Sequence, residues 1–126
     1  MDSLFFKEEH KMIQKMVCDF AKDEILPISK ELDKSEIFPK EIVKKMGQLG
    51  LMGINVPAKY GGSDLDTVAY VIAVTELAKA DASVAITMAS HTTIGTLPLL
   101  LFGTERLKKK YCPKIASGEI LSAHGL

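Results

Sequence analysis

The feature that most constrains the fold is a long stretch of sequence without charge. No Asp, Glu, Lys or Arg occurs between Asp81 and Glu105, and a stretch of this length can span a bilayer. However, Ser, Thr and His residues interrupt it, together with Gly95 and Pro98. Because polar residues are costly in lipid, the stretch is predicted to be a core helix over about residues 82–102, without membrane insertion.

The sequence before this stretch has helical periodicity. Apolar residues recur at three- and four-residue steps over about residues 7–32, with a kink or break expected at Pro27. A second helix is predicted to begin at Pro39, which suits the first helical position, and to end at Gly47 or Gly50. The glycine- and proline-containing segment that follows, residues 51–60, is predicted to be a connector.

Further helices are predicted over about residues 66–80 and 105–116. Asp81 is the predicted N-cap of the helix over 82–102, and Thr104 is the predicted N-cap of the helix over 105–116. The helices over 66–80 and 82–102 are apolar on most faces, which predicts central helices surrounded by the others. The apolar end of the chain, residues 119–126, is predicted to begin a β-strand. The predicted fold is therefore all-α, an antiparallel bundle of about five to six helices with the start of a strand at its C-terminal end.

Composition narrows the classes of function. The chain has 126 residues, a formal net charge of zero, 47% hydrophobic residues and 25% charged residues, which is typical of one globular domain. This balance argues against a strongly basic surface for nucleic acid. Cys18 and Cys112 do not form a metal or redox motif and are expected to be free thiols. The N-terminus lacks the pattern of a signal peptide, so a cytoplasmic location is predicted.

The chain lacks common signatures of metal and nucleophilic chemistry. A metal site in a helical bundle would require Glu-x-x-His on one helix, and none of the residues three positions before His10, His91 or His124 is Glu. No G-x-S-x-G motif occurs, and Cys18 lies in a helical apolar pattern typical of a buried structural thiol. No metal site is therefore predicted.

One polar stripe on the fourth predicted helix has two interpretations. Thr87, Ser90 and Ile94 recur at helical steps, and His91 adjoins them. The first interpretation is that the hydroxyls bond back to carbonyls four residues earlier, with His91 satisfied in the core. The second is that the stripe lines a ligand slot. Spacing alone leaves both open and predicts no reaction.

Local motifs along the chain form an ordered series that is specific, although each motif is weak. In chain order they are Phe20-Ala21-x-x-Glu24-Ile25-x-Pro27, Phe38-Pro39-x-Glu41, Gly50-Leu51-Met52-Gly53-Ile54, Val56-Pro57-x-x-Tyr60-Gly61-Gly62, Glu76-Leu77-Ala78-x-x-Asp81-Ala82-Ser83, Phe102-Gly103-Thr104-Glu105, Lys108-x-Lys110-Tyr111-x-Pro113, Gly118-Glu119 and Ala123-His124-Gly125-Leu126. The series resembles the start of acyl-CoA dehydrogenases over essentially the whole chain.

The resemblance implies a domain fragment of a larger flavoprotein. Residues 1–118 would be the N-terminal α-domain, and residues 119–126 would be the first strand of a middle β-domain. The parent enzyme would be an oxidoreductase of fatty acid metabolism that converts an acyl-CoA to the 2,3-enoyl-CoA with FAD. Its catalytic base would lie beyond residue 126, so no catalytic residue is predicted here. An electron-transfer flavoprotein is the implied acceptor, and a homo-tetramer the implied assembly.

The resemblance also assigns site residues. Those implied to face the acyl tail are Thr87, Ser90 and Ile94. Those implied to begin the flavin-binding stretch are His124, Gly125 and Leu126. The chain alone is expected to be inactive and not to retain FAD, and a eukaryotic source would imply the mitochondrial matrix. The alternative is a stand-alone helical acyl-CoA-binding or interaction module without redox chemistry. Acyl chain length, reaction direction and the role of His91 stay open.

Overall fold

The structure, a computed structural model, describes residues 6–125. The N-terminal half begins with a long helix that widens at its end and then breaks. Its elements are α1 (Glu8–Phe20), a π-helical segment (Ala21–Ile25), α2 (Ser29–Ser35), α3 (Lys40–Gln48) and a 3₁₀ turn (Ala58–Tyr60). The break falls at residues 26–28, around Pro27 as predicted, because proline cannot continue the hydrogen-bond ladder of a helix.

The second half of the chain forms the centre of the bundle. Its elements are α4 (Thr67–Ala80), α5 (Ala82–Ser90), a π-helical segment (His91–Thr96), α6 (Leu97–Phe102) and α7 (Glu105–Ala116). α5, the π-helical segment and α6 form one continuous helix, Ala82–Phe102, which matches the predicted bounds. The prediction of an all-α bundle is confirmed.

The main core lies where α4 packs against α1 on one side and α5 on the other. Buried apolar side chains from α1, α3, the connector, α4 and α5 meet there, among them Val17, Met46, Leu51, Met52, Ile54, Ala69, Ala73, Leu77, Val84 and Met88. A smaller cluster joins the connector to α7 through Val56, Tyr60, Cys112 and Ala116. The connector therefore contributes to the core without being regular secondary structure.

Helix N-termini are fixed by the local signals that the sequence contains. Asp81 accepts hydrogen bonds from the backbone N–H groups of Ser83 (2.8 Å) and Val84 (3.1 Å), and Thr104 caps α7. Both predictions are confirmed. Pro39 lies at the N-cap of α3, and the helix begins at Lys40, one residue after the predicted start.

The continuous helix Ala82–Phe102 is less enclosed than predicted. One face enters the core, but the opposite face exposes large apolar side chains, namely Ile86, Ile94, Leu97, Leu101 and Phe102. By length and composition the helix could cross a membrane, and one third of its most apolar window is buried. The expectation that other helices surround it is therefore wrong for this face.

The segment after α7 is extended and irregular. The backbone N–H of Ile120 donates to Lys114 O at 3.2 Å, which holds the start of the segment to the end of α7. From Phe6 to Gly125, no residue is in a β-strand, because a strand forms only against a partner. The assignment of residues 119–126 to the first strand of a β-domain stays a prediction, and Leu126 lies outside the described residues.

Candidate functional site

His91 lies where the continuous helix Ala82–Phe102, called the long helix from here on, meets the connector and α7. Its side chain is 2% exposed. Nε2 lies 3.1 Å from Met52 O and 3.2 Å from Ile115 O. Because both oxygens are acceptors, Nε2 carries the proton and donates to them. The core interpretation of His91 made from the sequence is therefore confirmed.

The other ring nitrogen of His91 binds the segment that follows α7. Nδ1 is left as an acceptor, and it accepts the backbone N–H of Ser122 at 3.1 Å. The Ser122 hydroxyl lies 3.0 Å from His91 O and 2.8 Å from Thr96 Oγ1, and the Thr96 hydroxyl donates to His91 O at 2.6 Å. We call His91, Thr96 and Ser122 the exit cluster.

The exit cluster requires a very close backbone approach at Gly95. A Cβ atom on Gly95 would lie 2.4 Å from both the carbonyl carbon and the carbonyl oxygen of Ser122. Any side chain at this position would therefore displace the segment after α7 or push the helix away. Glycine is needed here for space, since its φ is not positive.

The electrostatics of the exit cluster favour a neutral imidazole. Burial is the largest influence and lowers the pKa of His91 below its ordinary value of 6.5, although the hydrogen bonds to the carbonyls of Ile115 and Met52 act in the opposite direction. Protonation would also place a proton on Nδ1, where the Ser122 N–H now points. The hydrogen bond to Ser122 therefore exists only in the neutral form.

The residues implied to face an acyl tail are not all lined up in one cavity. Thr87 lines an open groove of about 760 Å³ between α2, the loop before α3 and the α4–α5 junction, and Ser90 and Ile94 lie outside its lining. The Thr87 hydroxyl donates to Ser83 O at 2.9 Å, as the hydroxyl interpretation predicts. Ile94 is 54% exposed. Their role toward an acyl chain stays a prediction.

A second cavity lies between the π-helical segment and the start of α4, where sequence reasoning placed none. It measures about 330 Å³ and is lined by Asn55, Val56, Leu65, Asp66, Thr67, Tyr70, Thr92, Thr93, Thr96, Leu97 and Leu100. Thr92 is 6% exposed, and its hydroxyl is buried without a hydrogen-bond partner. Such a group pays for desolvation without compensation.

The residues implied to begin a flavin-binding stretch lie at the end of the described chain. His124 and Gly125 are exposed, and a Cβ on Gly125 would meet no atom within 4 Å. Their role toward a flavin stays a prediction. Leu126 lies outside the described residues.

Cys18 is half-buried and Cys112 is buried, both as free thiols, so Cys18 is less enclosed than expected.

A third polar group joins the start of α1 to the start of α4. His10 Nε2 lies 3.0 Å from both carboxylate oxygens of Asp66, and His10 Nδ1 accepts the backbone N–H of Lys7 at 3.2 Å. The ligand atoms of Glu9, His10 and Asp66 lie within 4.8 Å of one another. Asp66 also caps α4 through the N–H of Ala69, so hydrogen bonds already account for this cluster.

The interactions of His10 and Ser122 were missed by sequence reasoning. His10 and Asp66 are separated by 56 residues, and His91 and Ser122 by 31, so no local pattern joins either pair. The one available signal for the second pair was Gly95, because a residue without a Cβ atom lets another backbone segment approach closely.

Comparison with known proteins finds relatives in the same family by sequence and by structure. The family model for the N-terminal domain of acyl-CoA dehydrogenase matches residues 7–119. An acyl-CoA dehydrogenase of Bacillus subtilis (strain 168) is 45% identical over 119 residues, which are 94% of this chain and 31% of that protein. This chain therefore spans about a third of the length of that relative.

Solved structures share the fold as well. The acyl-CoA dehydrogenase of Bacillus anthracis, complexed with FAD, matches 97% of this chain and 21% of its own with a TM-score of 0.88 and 41% identity. A structure described as the electron transferring flavoprotein of Acidaminococcus fermentans contains a chain that matches 96% of this one and 32% of its own, with a TM-score of 0.90 and 37% identity.

The fold and these matches define a helical domain of the kind found at the N-terminus of acyl-CoA dehydrogenases. The chain belongs to the acyl-CoA dehydrogenase family.

Proposed function

We propose that this chain is the N-terminal domain of a flavin-dependent enzyme that oxidises an acyl-CoA thioester to the 2,3-enoyl-CoA. The observation that carries the proposal is the match of residues 7–119 to the family's N-terminal domain. The FAD complex of the Bacillus anthracis relative supports the cofactor. FAD would supply the hydride acceptor when bound, while a carboxylate base beyond residue 126 would take the α-proton.

In this proposal, the chain contributes a wall around the acyl tail and the edge of the flavin site. Thr87, Ser90 and Ile94 would line the acyl tail, and one methylene in an apolar pocket is worth about 1–3 kcal/mol, so this wall would help to set chain length. His124, Gly125 and Leu126 would supply the edge of the flavin site. The catalytic base would lie beyond residue 126, so the chain alone would not oxidise an acyl-CoA.

The match to a chain from the Acidaminococcus fermentans structure supports an electron-transfer flavoprotein as the acceptor of the whole protein. A homo-tetrameric assembly and a cytoplasmic location, or the mitochondrial matrix for a eukaryotic source, complete the proposal.

A chimera tests the proposal. Residues 1–126 would replace the homologous segment of the Bacillus subtilis relative, and the purified protein would be assayed for bound flavin and for its bleaching by saturated acyl-CoA thioesters of graded length. We expect about one flavin per chain and bleaching by at least one thioester. A correctly folded chimera that binds no flavin, or whose flavin no thioester reduces, would contradict the proposal.

A matched pair of variants tests the acyl-tail wall in the same chimera. Ser90→Phe would fill the proposed slot and is expected to lower kcat/KM for the longest accepted thioester at least tenfold more than for the shortest. Lys109→Phe, at a solvent-exposed position of α7, serves as the control. Equal losses across chain lengths in the Ser90 variant would remove Ser90 from the wall.

Calorimetry on the isolated 126-residue chain separates the proposal from the alternative module. We expect no binding of acyl-CoA and no retained flavin, because most of both sites would lie on other domains. Tight binding of acyl-CoA by this chain alone would favour the stand-alone module.

A further inference from the structure

We propose that His91 positions the segment after α7, and that its neutral imidazole latches this segment onto the long helix through Ser122. The consequence for the flavin-binding stretch at residues 124–126 rests on the proposed function. The latch itself rests on the contacts of the exit cluster.

The first step in the argument is that His91 has two different hydrogen-bonding sides. Nε2 donates to Met52 O and Ile115 O, which fixes the plane and the tautomer of the ring. Nδ1 must then be an acceptor, and it points at the backbone N–H of Ser122. The connector and α7 thereby orient the ring. The ring in turn orients the segment after α7, residues 117–125, which we call the exit segment.

The second step is that Ser122 holds the exit segment against one face of the long helix. The Ser122 hydroxyl reaches His91 O and Thr96 Oγ1, and Gly95 lets the Ser122 backbone approach the helix. Because Ser122 contacts His91 and Thr96 on either side of Gly95, both its distance from the helix and its position along the helix axis are fixed. Two residues separate Ser122 from Gly125, so this register sets where the stretch after it begins.

The third step is the π-helical geometry of His91–Thr96. A π turn accommodates one more residue than an α turn, and such turns often occur at functional sites. Here the buried polar side chains of His91 and Thr96 both reach Ser122, although they lie five residues apart. In an α-helix, residues five apart diverge by about 140° around the axis, and the wider turn brings them together.

The charges around His91 leave its protonation to burial and hydrogen bonding. Apart from His91 itself, residues 82–102 have no acidic or basic side chain, and the titratable side chains of the connector, residues 51–60, are Lys59 and Tyr60. The titratable groups on α7 are Glu105, Arg106, Lys108, Lys109, Lys110, Tyr111, Cys112 and Lys114, and burial raises the pKa of Cys112. After α7, Glu119 forms an ion pair with Lys114 at 3.1 Å, and His124 is exposed. None contributes to the pKa shift of His91. Acid therefore opens the latch by protonating Nδ1.

Amide hydrogen exchange on the 126-residue chain tests the latch. The protection factor of the Ser122 amide is measured by NMR, with amides of α4 as an internal reference for the core. His91→Asn keeps an acceptor near the Nδ1 position, whereas His91→Gln keeps a donor near the Nε2 position. We expect His91→Asn to retain the protection of Ser122 and His91→Gln to lower it about tenfold. Equal behaviour of the two variants would overturn the positioning role.

Two further measurements keep the test decisive if a His91 variant destabilises the core. Gly95→Ala leaves His91 in place and is expected to lower the protection of Ser122 about tenfold without loss of protection in α4. In the unmodified chain, acidification is expected to remove the protection of Ser122 before that of α4. If Ser122 follows α4 in both measurements, the latch is wrong.

The flavin consequence is measured separately in the chimera with the Bacillus subtilis relative. FAD affinity of the apo-chimera is expected to fall about tenfold for His91→Gln and Gly95→Ala, and to be retained for His91→Asn. If the unmodified chimera binds no FAD, the proposed function fails while the exchange experiment still decides the latch. If FAD binds equally to all variants, the latch does not position the flavin-binding stretch.

Discussion

The π-helical segments Ala21–Ile25 and His91–Thr96 share a backbone geometry but bury different chemistry. The first buries Ala21 and Ile25 and is followed within a few residues by the break at Pro27. The second buries His91, Thr92 and Thr96 and continues directly into α6. The comparison teaches that a widened turn can serve packing at one place and polar recognition at another, and that only the buried side chains distinguish the two uses.

The largest effect is expected in the packing segment. Ile25 is fully buried, and Ile25→Ala is expected to lower the free energy of unfolding by about 3 kcal/mol, because it removes buried methyl groups and leaves a cavity. Urea denaturation followed by circular dichroism measures this change. Leu26→Ala, at the adjacent exposed position, is the control and is expected to change stability by less than about 0.5 kcal/mol.

The next largest effect is a dependence on pH that belongs to the polar segment. Burial lowers the pKa of His91 in the folded chain, so below about pH 6.5 the unfolded chain binds more protons. The free energy of unfolding is therefore highest above this pH and falls as the pH decreases toward the folded-state pKa, by at most about 1.4 kcal/mol per pH unit. Denaturation of the chain and of His91→Asn between pH 7.5 and 5 measures the difference, and parallel profiles would contradict it.

Thr96 provides a smaller effect in the same segment. Its hydroxyl donates to His91 O and lies beside the Ser122 hydroxyl, and the side chain is almost completely buried. Thr96→Val keeps the shape but removes these bonds, so the free energy of unfolding is expected to fall by about 1 kcal/mol. Thermal denaturation at pH 7.5 measures this change, and an unchanged melting temperature would mean that the hydroxyl does not stabilise the cluster.

The smallest expected effect has the opposite sign. The buried hydroxyl of Thr92 has no hydrogen-bond partner, so Thr92→Val removes an uncompensated polar group without changing the shape of the side chain. We expect the free energy of unfolding to rise by about 0.5 kcal/mol. Measured beside Thr96→Val under the same conditions, the pair shows whether partners or burial alone decide the sign. A loss of stability in Thr92→Val would indicate a partner for the hydroxyl.

The sequence was sufficient for the parts of the fold that local chemistry decides. The continuous helix Ala82–Phe102 was bounded correctly because Asp81 caps it and Gly103 ends it. The break at Pro27 follows from the missing N–H of proline. The open face with Ile94 and Phe102 was not predicted, because apolar periodicity shows which residues avoid water but not whether this chain supplies the surface that covers them.

The candidate site could be predicted only in part, for a different reason. Thr92 and Thr96 are four residues apart and would share one face of a regular α-helix. However, the Thr92 hydroxyl has no hydrogen-bond partner, whereas the Thr96 hydroxyl contacts Ser122. Their difference arises from the phase of the π-helical segment, which periodicity arguments based on 3.6 residues per turn do not include. The contact of His91 with Ser122 joins distant positions, so it required the tertiary structure.

The π-helical segment His91–Thr96 has a consequence for how this sequence can change by insertion and deletion. Because a π turn holds one residue more than an α turn, loss of one residue from the segment would restore an α turn and leave the helix after it in nearly the same orientation. Loss of one residue from α5 would instead rotate everything after it by about 100°. Such a rotation would turn the apolar face of α6 and move Gly95 and Thr96 away from the exit segment. A single-residue deletion is therefore expected to be tolerated better in His91–Thr96 than in α5.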